Sequence, residues 1–184
     1  ERLHSVDTVV LDKTGTVTSG HPQVTDIEVT EVLSEKDFLS IAASIEKDSE
    51  HPLAEAVVNK AKEEGVEIKT PDKFEIVAGK GVKSVIEGEI YTAGNIELIS
   101  ENVEENSAFL EKISEKYAHL GKTPLFFAKN KKLLGMIAVA DSVRQTSAEA
   151  VRYFKQSGLR VILLTGDNRL TAEAIAKEVG IDEV

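Results

Sequence analysis

The sequence contains no cysteine, and only 5% of its 184 residues are aromatic. The missing thiols exclude disulfides and thiolate metal sites within these residues. The shortage of aromatics means that a core must be built mainly from Val, Ile, Leu and Ala, and the 41% hydrophobic content is ample for one. Positive charge is also in short supply. Against 32 acidic residues stand 22 lysines and arginines, a formal balance of −10. That removes the basic footprint a nucleic-acid partner requires. Long hydrophobic runs are absent too: the longest clean one, LLGMIAVA at 133–140, is far too short to span a bilayer. The opening ERLHSVDT has no signal-peptide character. It leads almost directly into a strand, and the closing EVGIDEV follows a helical pattern, so both ends read as cuts through a longer polypeptide. The length suits one large domain or two small ones.

What is present begins with VVLDKTGTVT at 9–18. A β-branched apolar run over 6–11 predicts a parallel strand buried on both faces, and it ends at a carboxylate, Asp12. Gly20, His21 and Pro22 then mark a turn or hinge. Ser34 with Asp37 reads as a capping box opening a helix that carries Phe38, Ile41, Ala42 and Ile45. Pro52 belongs in the first turn of the next helix, which Gly65 ends. A strand is expected at 74–78, and a hairpin over 82–93 with Glu87 and Gly88 near its tip. Asn106 is the expected cap of a helix bearing Phe109, Leu110, Ile113, Tyr117 and Leu120, followed by a strand at 125–128 and a turn at Asn130 and Lys131.

From residue 132 the texture of the opening returns. LLGMIAVAD reads as a strand ending in Asp141, a helix follows, RVILLTGD is a second apolar strand, and a helix closes the pattern at Gly180. Strand, helix, strand, helix predicts a βαβ unit with a right-handed crossover. The expectation is an α/β domain split in sequence (1–20 and 132–184), interrupted by an α+β domain on an antiparallel sheet (21–131).

In open parallel sheets, ligands sit beyond the carboxyl ends of strands. Asp12 and Asp167 both occupy such ends, each beside a glycine turn and threonines. If the two strands are neighbours, carboxylates and hydroxyls converge, glycines let backbone N–H groups approach an anion, and the helix after Asn168 points its N-terminus there. That layout suits phosphoryl chemistry, with a carboxylate able to attack phosphorus and Mg²⁺ offsetting the meeting of two anions.

On these residues the sequence resembles the P-type ATPases, ion pumps that cycle through an aspartyl phosphate. DKTGT at 12–16 resembles their phosphorylation motif, TGDN at 165–168 their second cytosolic motif, and SEHPLA at 49–54 the His-Pro signature of the heavy-metal branch. Gly79-Lys80-Gly81 and Gly94-Asn95 fit that branch's nucleotide-binding glycine motifs. The resemblance runs along the whole chain. It implies a haloacid-dehalogenase-like phosphorylation domain with an inserted nucleotide-binding domain, and ATP and Mg²⁺ as substrate and cofactor. It implies Asp12 as the nucleophile, with Lys13 beside it, and Mg²⁺ on the Asp12 carboxylate and the Thr14 carbonyl. Thr165 and Gly166 would bind the transferring phosphoryl group, and Asp167 would help orient the nucleotide. Glu46 would accept from the adenine amino group and His51 pack on the ring, with Gly79, Gly81, Gly94 and Asn95 nearby. Copper or silver is the favoured ion, with zinc, cadmium and cobalt left open; the helices that would carry it are not in this segment. Partners would be ATP or ADP and the other domains of the same polypeptide, at the cytoplasmic face of a membrane.

Two other functions fit parts of this pattern: a soluble phosphatase of the same fold, and a non-catalytic nucleotide-binding module. Such phosphatases place an aspartate two residues after the nucleophile as general acid; here that position is Thr14. The family's later lysine and its Gly-Asp-Gly-x-Asn-Asp segment do not occur in these residues, so nucleotide binding with little turnover is expected. Asp141 and Arg144 touch the ribose, cross-link the domains, or form a plain ion pair.

Overall fold

The protein is described by a computed structural model over residues 6–30, 33–105 and 107–184. Its hydrophobic residues sort into two separate cores, and the chain divides into two units. One unit holds the described residues up to His21 together with 116–122 and 141–184; the other holds Pro22–Glu115 and Thr123–Ala140.

The first unit is built on a parallel pair, β1 (Thr8–Asp12) and β8 (Arg160–Leu164), with Asp12 opposite Leu164 in register. α5 (Ser147–Gln156) and α6 (Arg169–Val179) supply Val151, Ala172, Ile175, Ala176 and Val179, which pack with Val17, Val161 and Leu163 of the same core. After α6 the chain turns at Gly180 (φ 84°), and the Leu163 N–H donates to the Glu183 carbonyl at 2.9 Å, so Glu183 runs parallel beside β8. The helices cover one face of the pair. On the other, Val10 and Leu164 are 54% and 61% exposed, so β1 is not buried on both faces as its apolar run predicts.

The second unit is a six-stranded antiparallel sheet in the order β2-β7-β6-β5-β4-β3, formed by β2 (Gln23–Val29), β3 (Lys73–Val77), β4 (Gly81–Ile86), β5 (Glu89–Gly94), β6 (Thr123–Lys129) and β7 (Lys132–Ala140). Each of its two tight hairpins has two consecutive residues of positive φ, Glu87-Gly88 and Asn130-Lys131, the turn geometry that matches strand twist. α1 (Glu35–Glu46) and α2 (Pro52–Glu63) lie on one face. Phe38, Ile45 and Val57 meet Val82, Ala93, Phe127 and Ile137 there, and Phe38 sits edge-on to Phe127 at 5.6 Å. Phe126, Met136 and Ala138 have the opposite parity and are buried on the other face, where α3 (Ile96–Ser100) packs on β5 and β6. α4 (Ser107–Ala118) completes the elements. Its expected cap, Asn106, lies outside the described residues. No helix among the described residues is long and apolar enough to cross a membrane.

The boundary expected at 131/132 is corrected. Residues 132–140 are β7, hydrogen-bonded between β2 and β6, so they belong to the antiparallel unit and the boundary follows Ala140. The strand beside β8 is β1, not this one. The physical reason is burial: a central antiparallel strand covered on both faces shows the same unbroken apolar run as a parallel strand. β2 and α3 had no expectation in the sequence. β2 reads QVTDIEV, with polar residues between its apolar ones, and α3 is too short for a helical period to show.

Two glycines are required by strand approach. Gly81 and Gly94 face each other across β4 and β5, and a Cβ on Gly94 would come within 2.2 Å of the Lys80 carbonyl. Gly79, by contrast, has φ 71° with nothing within 4 Å of a modest side chain. Gly94→Ala should therefore destabilise the chain by about 3 kcal/mol or more, because its Cβ meets backbone that cannot give way, and Gly79→Ala by only about 1–2 kcal/mol through backbone strain alone. Urea unfolding followed by far-ultraviolet dichroism measures both, and equal losses at the two positions would contradict the steric account.

Candidate functional site

In the first unit the end of β1 is followed by a six-residue turn. Thr14 is extended (φ −76°, ψ 123°), Gly15 takes φ 76°, and the Thr18 N–H closes the turn on the Lys13 carbonyl at 2.9 Å. The parallel register puts Asp12 level with Leu164, so the turn and Thr165-Gly166-Asp167 emerge side by side. The Lys13 ammonium pairs with the Asp167 carboxylate, and Lys13 is buried. Thr165 Oγ1 accepts from the Asp167 N–H at 3.1 Å, and Asn168 caps α6 by accepting from the Leu170 N–H at 2.8 Å. Asp12 is exposed and accepts no hydrogen bond from a protein group. The structure thus brings together Asp12, Lys13, Thr14, Thr165, Gly166 and Asp167. It leaves an exposed Asp12 carboxylate, a buried lysine paired with Asp167, and exposed glycines at both turns.

No group of three His, Cys, Asp or Glu side chains able to hold a metal occurs among the described residues. Mg²⁺ does not need one: it keeps waters and is bound through one or two carboxylates and substrate phosphates. The unpartnered Asp12 carboxylate and the extended backbone at Thr14 fit such an ion.

The turn is held by two residues that the sequence left undecided. Asp141 accepts from the hydroxyls of Thr18 (2.5 Å) and Ser19 (2.7 Å) and from the backbone N–H groups of Gly20 (3.0 Å) and His21 (3.2 Å). Arg144 donates from Nε to the Thr18 carbonyl and from Nη2 to the Gly15 carbonyl, both at 2.9 Å. The two side chains form no ion pair with each other; each grips the backbone leaving the turn. Partial burial would raise the Asp141 carboxyl, but the hydroxyl and amide donors outweigh it and hold it below its ordinary value.

The second unit contains a cavity of about 520 Å³, within the usual range for a small-molecule site. Glu46, His51, Gly79, Gly81, Gly94 and Asn95 all line it. Glu46 ends α1, is 6% exposed, and has its carboxyl pushed up to about 7 by burial. His51 is the N-cap of α2. Its Nδ1 accepts from the Leu53 N–H at 3.2 Å, so the neutral ring carries its proton on Nε2. Pro52 follows at the first helical position and holds His51 extended (φ −73°, ψ 136°). Asn95 caps α3 and donates from Nδ2 to the Gly79 carbonyl at 3.3 Å, tying the β3–β4 turn down. Lys80 is paired with Glu101 at 2.7 Å. Gly81 and Gly94 serve strand contact first, so of the three glycines it is Gly79 that leaves open space. Sequence reasoning missed the apolar wall, notably Ile76. It is 69% exposed on β3, which only the tertiary structure reveals, so no signal in the sequence marks it as part of the wall.

The sequence model of the family described as haloacid dehalogenase-like hydrolases matches residues 6–184. A copper-exporting P-type ATPase of Staphylococcus saprophyticus is 43% identical over 185 residues, covering 100% of this chain and 22% of the relative. A copper-transporting P-type ATPase of Rhizobium leguminosarum is likewise 43% identical, with the same coverage. The chain therefore spans about a fifth of the length of the curated relatives it matches. Among solved structures, a zinc-transporting PIB-type ATPase in an E2.Pi state superposes with a TM-score of 0.74 at 32% identity, over 97% of this chain and 29% of the other. The catalytic CPx-ATPase domain CopB-B gives 0.70 at 27% identity, over 99% and 61%.

Asp141 has a native pKa below its ordinary 3.8. The stabilisation it provides is thus complete above that value and is lost as pH falls through the depressed one. Asp141→Asn should cost about 1–3 kcal/mol at pH 7, and the gap to the parent should narrow below about pH 4. Denaturant unfolding across that range tests this; a gap that is constant with pH would rule out the charge as the cause.

Proposed function

The chain belongs to the haloacid dehalogenase-like hydrolases, and from that premise we propose that it is the ATP-binding and phosphorylation segment of a copper-exporting P-type ATPase. It would act at the cytoplasmic face of a membrane, joined to the transmembrane helices and other cytosolic domains of the same polypeptide. The observation that carries this reading is the β1–β8 register, which sets Asp12 beside Thr165-Gly166-Asp167. The 43% identity, over all of this chain, to a copper-exporting and a copper-transporting relative supports it and favours copper as the ion.

In this reading the second unit's cavity holds the nucleotide. The adenine lies on the His51 ring, its exocyclic amino group faces Glu46, and Gly79 leaves room beside the turn. An Asp12 carboxylate oxygen attacks the terminal phosphorus of ATP; the bond to the bridging oxygen breaks, and ADP leaves with that electron pair. Thr165 and the Gly166 backbone hold the transferring group, and Lys13 keeps positive charge beside it. Mg²⁺, held by the Asp12 carboxylate and the Thr14 carbonyl, supplies charge neutralisation when bound. Lys13 is kept in place by Asp167, so that carboxylate orients the site before it meets any nucleotide.

Thr14 stands where a soluble phosphatase of this fold carries its general acid, and it offers no proton of suitable acidity. The acyl phosphate should consequently persist, as a pump needs when slow conformational steps follow chemistry. This disfavours the phosphatase alternative. In this chain by itself, ATP binding with slow turnover is expected, because Lys13, the lysine beside this turn among the described residues, is already paired with Asp167.

Incubation with γ-labelled ATP and magnesium should give acid-stable, alkali-labile phosphate on the parent at low stoichiometry. Asp12→Asn should abolish it while ATP affinity stays within about twofold. Label that survives Asp12→Asn would refute the nucleophile assignment. His51→Gln should weaken ATP binding about tenfold by removing the ring face; unchanged affinity would remove His51 from the adenine pocket.

A further inference from the structure

Glu46 is the anomaly of the second unit. Its side chain is more than nine-tenths buried, yet no hydrogen bond or ion pair from the protein satisfies its carboxyl. Its oxygens are not among the fully enclosed unpaired atoms, so the group opens on the cavity it lines. A buried carboxyl without a partner is costly unless it is neutral or a ligand completes it.

The charged groups facing it are few. Glu50 and His51 enter from the α1–α2 connection, and Lys80 enters from the β3–β4 turn with its ammonium drawn to Glu101. β4, β5 and β6 contribute no titratable group to the lining. Nothing offsets the loss of solvent, and burial alone moves the carboxyl up to about 7. Near neutrality a large share of the molecules therefore carry Glu46 protonated.

We propose that Glu46 recognises the base as a neutral carboxylic acid, its hydroxyl donating to adenine N1 while its carbonyl accepts from the exocyclic amino group. This rests on the reading that the cavity takes an adenine nucleotide, and goes beyond it by assigning the proton and a second contact. An ionised carboxylate has no donor for N1 and faces that lone pair with its own; only the amino contact remains. ATP binding by this chain is thus linked to proton uptake at Glu46. Because only the protonated fraction makes the paired contact, affinity falls as pH rises past 7, by at most the worth of the N1 contact, about five- to tenfold. The glutamine isostere mimics the neutral acid at every pH, its amide donating to N1 and its carbonyl accepting from the amino group.

The test compares ATP with 1-deaza-ATP, which lacks N1 but shares the triphosphate and the amino group, so any effect of pH on the shared contacts cancels in their ratio. Binding to the 184-residue chain is followed by backbone amide NMR at pH 6 and pH 8, for the parent, Glu46→Gln and Glu46→Ala. The proposal expects ATP to bind about five- to tenfold tighter than the analogue at pH 6, the advantage to shrink toward unity at pH 8, and Glu46→Gln to keep it at both. If the two nucleotides bind alike at pH 6 while Glu46→Ala weakens both, Glu46 meets only the amino group; the proposal falls and the adenine reading stands. A preference for ATP that does not change with pH in the parent also overturns it. If neither nucleotide shifts the amides around His51 and Gly79, the adenine reading itself is wrong.

Discussion

The carboxylate of Asp141 accepts from two hydroxyls and two backbone amides that belong to four consecutive residues, Thr18 to His21. Arg144, one helical turn away in sequence, takes the Gly15 and Thr18 carbonyls. Ser147 adds a hydroxyl to the Val17 carbonyl at 2.8 Å. A turn built from DKTGT has little side-chain mass of its own to pack, and Gly15 at φ 76° contributes freedom, not stiffness. The donors and acceptors of the 141–147 segment are what give it a single conformation. The role proposed for Asp12 requires that, because a carboxylate that wanders does not present its oxygen in line.

The two candidate sites are made by different physics. At the end of β1 the chemistry is assembled by strand register: once Asp12 pairs with Leu164, the neighbouring turn residues have nowhere else to go. Its charges stay solvated or paired, as Lys13 and Asp167 are. In the cavity of the second unit, by contrast, burial does the work. Glu46 keeps a polar group in an apolar surrounding, where the cost of leaving it unpaired can be relieved by a ligand. His51 is pinned by its helix-capping bond, which orients the ring without consuming Nε2.

Motifs with backbone consequences were legible. Ser34 does cap α1, its Oγ accepting from the Asp37 N–H at 3.1 Å, but the Asp37 carboxylate accepts from that same hydroxyl at 2.6 Å and not from the Ser34 N–H, so only half of the expected capping box is made. Pro52 does open α2, and Gly65, Gly121, Gly158 and Gly180 all take positive φ. Less legible were features whose meaning depends on a neighbour distant in sequence. Residues 132–140 read as parallel because burial on both faces erases the alternation that marks an antiparallel strand. Gly81 and Gly94 do line the cavity, but their second duty, leaving room for each other's strand, has no sequence signal. For Asp141 and Arg144 a ribose contact, a domain cross-link and a plain ion pair stayed open, because many of their partners are backbone groups, which every sequence possesses.

The sequence by itself determined the chemistry on offer: a carboxylate at the end of a strand, a threonine and not an acid two residues after it, and a histidine held extended by the proline after it. These follow from residue identity and from local backbone restrictions that act over a few positions. Tertiary structure alone decided which strand lies beside β1, that Lys13 meets Asp167, and that Glu46 has lost its water without gaining a partner. Desolvation and strand pairing are set by what the rest of the chain brings into contact, and no window of sequence contains that information.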